Sequence, residues 1–369
     1  MNILILEGSK HWTGGAKRAF LLSRELKKHG HGVIVVCPPK ALLGEKCARE
    51  GMAVYTFMPI GGMGLLSFLK ILKIAKTHKP QVIDIHSSVF YRTGALAGKI
   101  AGAKVVFTRN VAFRKSFIKR KINRMMYALA DNIITVSQQI RADLVNDFSL
   151  DPGKIEVILD GIDVNEFDVA PEETQKIKNE FSLGPGNALA AGVVTRMDKT
   201  KGHGFLLEGL PEVLAKYPLL KFIITGTGKL EKEIKNRARQ LGLEKNVIFT
   251  GFRNDIPAIL SAVDFTVMPS YNEGLGMCIL ESLASGRPVV GVRTGGVPEA
   301  IIDGHDGVLV EACTGTQMGL AALLAEGIIR IMGMDLHKLG ENGRKIILEK
   351  FSAGVMAQKT LQVYGGPKI

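Results

Sequence analysis

FTVMPSYNEGLGMCILESLASGRPVVGV, residues 265–292, reads as a strand, a glycine-bearing loop, a helix and a second strand. FTVMP (265–269) and PVVGV (288–292) are short runs apolar on both faces, as expected of parallel strands covered by helices. The first strand is expected to end at Pro269 and the helix to start near Leu275. Gly274 and Gly276 let a ligand approach the backbone closely, and the helix N-terminus offers free N–H groups to an anion. Glu273 sits in the loop, and Glu281 lies eight residues on, so the two carboxylates point roughly the same way.

The same pattern recurs on both sides of this stretch. In the first half the runs are NILIL (2–6), VIVV (33–36), VIDI (82–85), VVFT (105–108), IITV (133–136) and IEVIL (155–159). Segments with helical spacing, 16–28, 65–78, 91–101 and 138–147, lie between them. Polar DVAPEETQKIKNEFSLGPGN (168–187) reads as a linker. The pattern then restarts with ALAAGVVT (188–195), KFIIT (221–225), NVIFT (246–250) and GVLV (307–310) around the opening stretch. Alternation of this kind predicts an α/β protein of two Rossmann-like, doubly wound domains. The expected boundaries are 1–170 and 187–350, with 351–369 left over. Ligands belong at the strand C-termini of such sheets.

The chain has 369 residues, 46% apolar and 22% charged, an ordinary globular balance. Cys37, Cys47, Cys278 and Cys313 form no Cys-x-x-Cys pair and are expected to be reduced thiols of a cytoplasmic protein. MNILILEG reads as a first buried strand rather than a signal peptide, and no uncharged apolar run reaches the length of a membrane span. The net charge of +13 is uneven: residues 1–169 carry 25 Lys/Arg against 14 Asp/Glu, residues 170–369 carry 23 against 21. The first half therefore favours anionic partners or an acidic surface.

Several motifs fall at the ends of expected strands. Thr195-Arg196-Met197-Asp198-Lys199-Thr200-Lys201-Gly202 follows one, Gly226-Thr227-Gly228 another, and Gly251-Phe252-Arg253 a third. Trp12-Thr13-Gly14-Gly15 follows the first strand and opens a helix, without the Gly-x-Gly-x-x-Gly of a dinucleotide loop. Asp84-Ile85-His86 ends a strand, and Thr294-Gly295-Gly296-Val297-Pro298-Glu299 makes a late turn. Glu299 serves a helix cap as readily as a ligand. No Asp-x-Asp occurs in the chain.

Glu273 and Glu281, set in EGLG…LESLASGRPVV, resemble the Glu-x7-Glu signature of the family-4 (group 1) retaining glycosyltransferases. The resemblance runs over nearly the whole chain, strongest from about 189 to 312. It implies the GT-B fold, with the two domains facing across a cleft and the last helix returning to the first domain. It further implies a nucleotide-diphosphate sugar as donor, a UDP-sugar expected, with no cofactor and no metal. Arg196 and Lys201 would hold the diphosphate, replacing the charge of a metal ion, since fixed cations stabilise a departing anion.

Backbone at Gly274, Leu275, Gly276 and Met277 would cap the phosphates. Glu273 would bind sugar hydroxyls and Glu281 the ribose. Gly226 and Gly228 would line the donor site, and the backbone at Phe252 and Arg253 would read the base. Gly14 and Gly15 would lie over the sugar and diphosphate. His86 matches the family's active-site histidine, although Asp84 stands where that segment has its first histidine.

The implied reaction moves a sugar to an acceptor hydroxyl with retention. A nucleotide-sugar epimerase and a non-catalytic binding subunit are the alternatives. The implied acceptor is a glycan or a lipid-linked molecule of cell-envelope or lipopolysaccharide synthesis, and no nucleic acid is expected. In residues 113–129, Ile118, Ile122, Met125, Met126 and Leu129 recur at helical spacing among Arg114, Lys115, Lys119, Arg120, Lys121 and Arg124. Such a helix either lies on an anionic bilayer or packs its apolar side on the domain core. Lipid-linked acceptors favour the bilayer, and hence a peripheral position on the inner face of the cell membrane.

Overall fold

Two units divide the chain. Unit 1 comprises Met1–Gly161 and Ser352–Ile369, and unit 2 comprises Ile162–Phe351. The computed structural model describes residues 1–58, 64–110, 120–183, 189–312 and 317–366, with only the backbone of 120–123 and 317–318.

Unit 1 alternates strand and helix in chain order. It begins β1 (Asn2–Leu6), α1 (Gly14–Lys28), β2 (Gly32–Cys37), α2 (Leu42–Arg49), β3 (Ala53–Thr56), α3 (Leu65–His78) and β4 (Val82–Ile85). It continues α4 (Tyr91–Ala101), β5 (Lys104–Arg109), α5 (Arg120–Tyr127), β6 (Asn132–Thr135), α6 (Gln138–Phe148) and β7 (Ile155–Val157). The strands form one parallel sheet in the order β3-β2-β1-β4-β5-β6-β7. In register, Ile3 faces Val33 on one side and Val82 on the other. Central strands are buried on both faces because helices cover both, which is why they read as unbroken apolar runs. β3 carries no such run: its AVYT is largely exposed at the sheet edge, and periodicity gives no sign of it.

The helices of unit 1 start where local chemistry satisfies their free N–H groups. Thr13 Oγ1 accepts from Ala16 N at the head of α1, and Ser137 Oγ from Ile140 N at the head of α6. Arg18 of α1 is fully buried, and its guanidinium donates to Asp160 at 2.7 Å and to the Ile158 carbonyl at 3.1 Å. A buried cation is costly unless paired, so this bond ties α1 to the last turn of the first segment.

Within 113–129, residues 113–119 lie outside the described residues, as do the side chains of Arg120, Lys121 and Ile122. Met126 and Leu129 pack on the unit 1 core, while Met125 is 68% exposed. The expected single apolar face therefore breaks at Met125.

Unit 2 runs α7 (Pro171–Glu180), β8 (Ala190–Val194), α8 (His203–Lys216), β9 (Lys221–Thr225), α9 (Glu231–Gln240), β10 (Val247–Gly251) and α10 (Ile256–Ala262). Then come β11 (Phe265–Met268), α11 (Met277–Ala284), β12 (Val289–Arg293), α12 (Val297–Ala300), β13 (Gly307–Glu311), α13 (Gln317–Met332) and α14 (Leu336–Lys350). Its sheet is parallel, in the order β10-β9-β8-β11-β12-β13. The chain then supplies α15 (Ala353–Tyr364) to unit 1, where it packs against α1.

The reading of 168–187 as a linker is corrected. Pro171–Glu180 is a helix with proline at its start and Glu172 and Glu173 in its first turn, an arrangement that suits the helix dipole. Ile177 and Phe181 are buried with Ala258 and Ile259 of α10. A helix that buries one apolar residue in ten looks like a loop by composition. Residues 184–188 lie outside the described ones. Among the described residues, no helix is long and apolar enough to cross a membrane.

Candidate functional site

Each sheet reverses its strand order once. In unit 2 the reversal falls between β8 and β11, and in unit 1 between β1 and β4. The crevice at the carboxyl ends of two such strands is where open parallel sheets take ligands. Arg196 and Lys201 follow β8, and Glu273 follows β11. Gly14 and Gly15 follow β1, and His86 follows β4.

In unit 2 the loops at this edge are tied to one another. Lys201 Nζ donates to Glu273 Oε2 at 2.5 Å, both side chains being mostly buried. Tyr271 N donates to the Thr200 carbonyl at 3.1 Å. Gly202 has φ +72, and a Cβ there would meet the Pro269 carbonyl oxygen at 1.9 Å. Gly295, φ +54, sits as closely on the Glu273 carbonyl, where a Cβ would fall at 1.8 Å. Gly296 N donates to the Gly274 carbonyl at 2.8 Å. The backbone around Glu273 is thus held from the β8 side and from the β12 side. The loops after β8, β9 and β10 join through Met197 N to Thr227 O at 3.0 Å and Gly226 N to Gly251 O at 2.8 Å. Gly226 and Gly228 both lie under the backbone of Thr195–Met197.

The helix after Glu273 begins at Met277, two residues later than expected, with Gly276 (φ +96) as its N-cap. Leu275 is buried beneath it, and Glu281 is half-buried on its second turn. Burial pushes the Cys278 thiol up to about 12, and the Glu273 and Glu281 carboxylates push the same way against the Lys201 ammonium. These three charges therefore all act on Cys278 of α11. Arg196 stands further out, 57% exposed and 2.9 Å from Asp198.

Phe252 is 64% exposed. The Arg253 guanidinium is engaged by Asp255 at 2.8 and 2.6 Å and by Glu180 at 2.6 and 3.0 Å. Its side chain is held within unit 2 by these pairs.

Two residues beside this site carry no motif of their own. His203, next to Lys201 and Gly202, is buried with both ring nitrogens unpartnered among the described residues. Burial lowers its pKa to about 4, with the Lys201 charge acting in the same direction. Ser270, also buried, has a hydroxyl without a partner among the described residues. Ser270 follows the end of β11, and His203 is the first residue of α8.

In unit 1, Gly15 packs on Asn110 at the end of β5. His86 is buried, and its Nε2 lies 3.0 Å from Asp84 Oδ2. Asp84 also accepts from Thr108 Oγ1 at 2.8 Å and from the Tyr364 hydroxyl of α15 at 2.5 Å. Burial works against this carboxylate, but His86, Tyr364 and Thr108 outweigh it and hold it below the usual range. With Nε2 directed at Asp84, His86 Nδ1 has no partner among the described residues. A neutral ring donating from Nε2 presents an acceptor at Nδ1. Glu7, buried at the end of β1, is pushed up by burial and partly brought back by His86 and its own backbone bonds. Among the described residues, no three His, Cys, Asp or Glu side chains stand close enough to hold a metal ion.

The two units are each a doubly wound parallel sheet with a reversal-point edge, and known proteins share this architecture. Residues 12–166 match the family described as Glycosyltransferase Family 4, and residues 188–332 match Glycosyl transferases group 1. D-inositol 3-phosphate glycosyltransferase of Corynebacterium kroppenstedtii is 32% identical over 49% of this chain and 42% of its own. UDP-Gal:alpha-D-GlcNAc-diphosphoundecaprenol alpha-1,3-galactosyltransferase of Escherichia coli is 28% identical over 66% of each. The chain thus spans about two fifths of the length of the first of these relatives and just under two thirds of the second.

The crystal structure of Anabaena HepE in complex with UDP superposes with a TM-score of 0.84 at 22% identity, covering 99% of this chain and 100% of that one. The fold is GT-B. The chain belongs to the group 1, family 4 glycosyltransferases.

Proposed function

We propose that the protein transfers a sugar from a nucleoside-diphosphate donor, a UDP-sugar, to a hydroxyl of a glycan or lipid-linked acceptor, retaining the anomeric configuration. The observation that carries this is the Lys201–Glu273 pair at the reversal point of unit 2, beside the N-terminus of α11. A cation, a carboxylate and free helix N–H groups at one strand edge suit a diphosphate joined to a polyhydroxylated ring. HepE was crystallised with UDP, and the Escherichia coli relative is named for a UDP-galactose donor and a diphosphoundecaprenol-linked acceptor.

In this reading the bond between the anomeric carbon and the diphosphate oxygen breaks as the acceptor oxygen attacks. The acceptor proton passes to the departing diphosphate, whose charge Lys201 and Arg196 stabilise without a metal ion. Glu273 holds sugar hydroxyls, Glu281 the ribose, and His86 accepts a sugar hydroxyl at Nδ1. The acceptor places the work at the cytoplasmic face of a membrane, with 113–129 contributing to attachment.

The test is turnover of UDP-sugars followed by NMR, which separates slow hydrolysis with retention from epimerisation and from binding alone. Lys201→Ala is expected to lower turnover about 100- to 1,000-fold, and Arg196→Ala comparably. Full turnover in both variants, or an epimerised donor, overturns the assignment.

A further inference from the structure

We propose that Glu7 recognises the acceptor: its carboxylate binds a hydroxyl of a neutral sugar ring, next to the hydroxyl that attacks. This rests on the transfer reading above and narrows it, since the acceptor then ends in a sugar with free neighbouring hydroxyls.

Glu7 follows β1, in which Ile3, Leu4, Ile5 and Leu6 are wholly buried. Leu6 stands in register with Val36 of β2 and Ile85 of β4. The next residues, Cys37, Glu7 and His86, therefore lie side by side across three strands at the reversal point of unit 1. Glu7 N donates to Val36 O at 3.0 Å, and His86 N to Leu6 O at 2.9 Å. Side chains two apart on a strand share a face, and Ile5 is paired with Asp84, so Glu7 and His86 leave the sheet on the same side. The Glu7 charge is felt by the Cys37 thiol on one side and the His86 ring on the other. Gly8 then closes the corner: a Cβ there would meet Val89 Cγ2 at 2.4 Å and Ser87 Oγ at 2.8 Å.

The carboxylate is 4% exposed, and among the described residues no Lys or Arg is paired with it. It accepts from Ser9 N at 2.8 Å, and the Gly8 N–H also favours the charged form. Taking a carboxylate out of water without a cation is costly. The loop does not need that charge. A glutamine oxygen would accept from Ser9 N as well, and Ser9 Oγ and Thr13 N both donate to the His11 carbonyl, at 3.0 and 2.9 Å. A charge kept at this cost at a strand C-terminus, with no structural task, points to a ligand.

The groups that meet here are acceptors: the Glu7 carboxylate, and His86 Nδ1, which has no partner among the described residues. Acceptors call for a ligand rich in O–H donors, and neighbouring hydroxyls of a sugar ring supply them. A metal ion would find too few ligands among the described residues, and the carboxylate repels an anionic group. In the proposed reaction His86 Nδ1 takes a hydroxyl of the donor sugar. The carboxylate on the next strand then meets what lies against that sugar, which is the acceptor ring. No covalent step is added: the proton of the attacking hydroxyl still passes to the departing diphosphate, while Glu7 holds a neighbouring hydroxyl.

The experiment offers the methyl α- and β-glycosides of glucose, galactose and mannose as acceptors, together with their monodeoxy derivatives. UDP-glucose and UDP-galactose are the donors, and NMR follows transfer and hydrolysis together. The wild type is expected to glycosylate at least one parent glycoside. It should lose about 10- to 100-fold in kcat/KM on one deoxy derivative that keeps the attacked hydroxyl, as for a hydrogen bond to a charged group. Glu7→Gln is expected to lose a similar factor on the parent, chiefly in KM, with the same fall in the ratio of transfer to hydrolysis, and to treat parent and deoxy derivative alike. Glu7→Asp, which draws the carboxylate back by one methylene, should lose part of both. Circular dichroism checks the fold, and if Glu7→Gln does not fold the comparison is made on Glu7→Asp. Three results overturn the proposal: hydrolysis without transfer to any glycoside, undiminished transfer in Glu7→Gln, or a variant that still discriminates against the deoxy derivative as the wild type does. The last would mark a merely structural residue. A wild type that consumes neither donor overturns the transfer reading itself, so the two failures are told apart.

Discussion

At Asp84 three donors converge on one buried carboxylate, and one of them, Tyr364, lies 280 residues further along the chain. Tyr364 bonds Asp84 and not His86 in this network. It acts on the histidine through Asp84. Tyr364→Phe is therefore expected to cost about 1.5–3 kcal/mol of stability, as for a hydrogen bond to a charged group, and to lower turnover. Losing a donor also lets the carboxylate pKa rise, so the acid limb of the rate profile should move to higher pH. A purely structural tyrosine would lower the activity without moving that limb.

His203 offers a second test at this scale. Its folded pKa of about 4 lies below the ordinary histidine value of about 6.5. Between those values the unfolded chain binds the proton and the folded one does not. The contribution is complete above pH 6.5 and is lost as pH falls toward 4, on the order of 3 kcal/mol in all. Asp306, whose carboxyl burial pushes up to about 6, drifts the other way. The check is the difference in denaturation midpoint between wild type and His203→Gln, at pH 7 and pH 5, in which the Asp306 drift cancels. A difference that stays constant with pH would contradict the assignment. Neither residue announces itself in the sequence. His203 has no second ligand-like residue at a fixed spacing, and the bond from Tyr364 to Asp84 joins positions that no local pattern relates.

Among the elements, the loops after β8, β11 and β12 depend on backbone fitting backbone. Gly202→Ala and Gly295→Ala each place a methyl group within 2 Å of a carbonyl oxygen at positive φ. The left-handed conformation costs about 1–2 kcal/mol and the overlap about 1–3 kcal/mol more. Each variant should lower the urea midpoint accordingly at unchanged slope, and should weaken UDP binding.

Strands flanked by helices on both faces were legible because burial on both sides leaves an unbroken apolar run; β1, β4, β9 and β11 are such cases. β3 was not legible, because an exposed edge strand of four residues has no such run. α7 was hidden by its polarity, although Pro171, Glu172 and Glu173 are start signals that a composition reading passes over. The site was legible in part. Glycines and charged residues clustered at strand ends point to Lys201 and Glu273, but their mutual contact depends on two loops 72 residues apart.

For the whole molecule, the division into two units makes unfolding a matter of two cores. Trp12, the one tryptophan, packs edge-on against Phe20 at 5.9 Å in unit 1 and reports that unit alone. Circular dichroism reports both. Transitions followed by the two probes are expected to separate, a departure from two-state behaviour. UDP at 100 times its Kd should stabilise the unit that binds it by about 2.7 kcal/mol. The circular dichroism transition assigned to unit 2 should move by that amount. A single transition, shared by both probes and shifted as one, would show that the units unfold together.

Unit 1 is also interrupted: α15 belongs to it, yet the whole of unit 2 is encoded in between. On the ribosome this sets an order of events. At about 5–20 residues per second, the intervening stretch takes on the order of 10–40 s to synthesise. Throughout that interval Arg18 and Asp160 can already pair, and Asp84 can already hold His86, but Tyr364 does not yet exist. A stalled ribosome would therefore carry a chain whose Lys201–Glu273 pair is set while its Asp84 still lacks the third of its donors, so that the histidine acquires its final support only after unit 2 has been made.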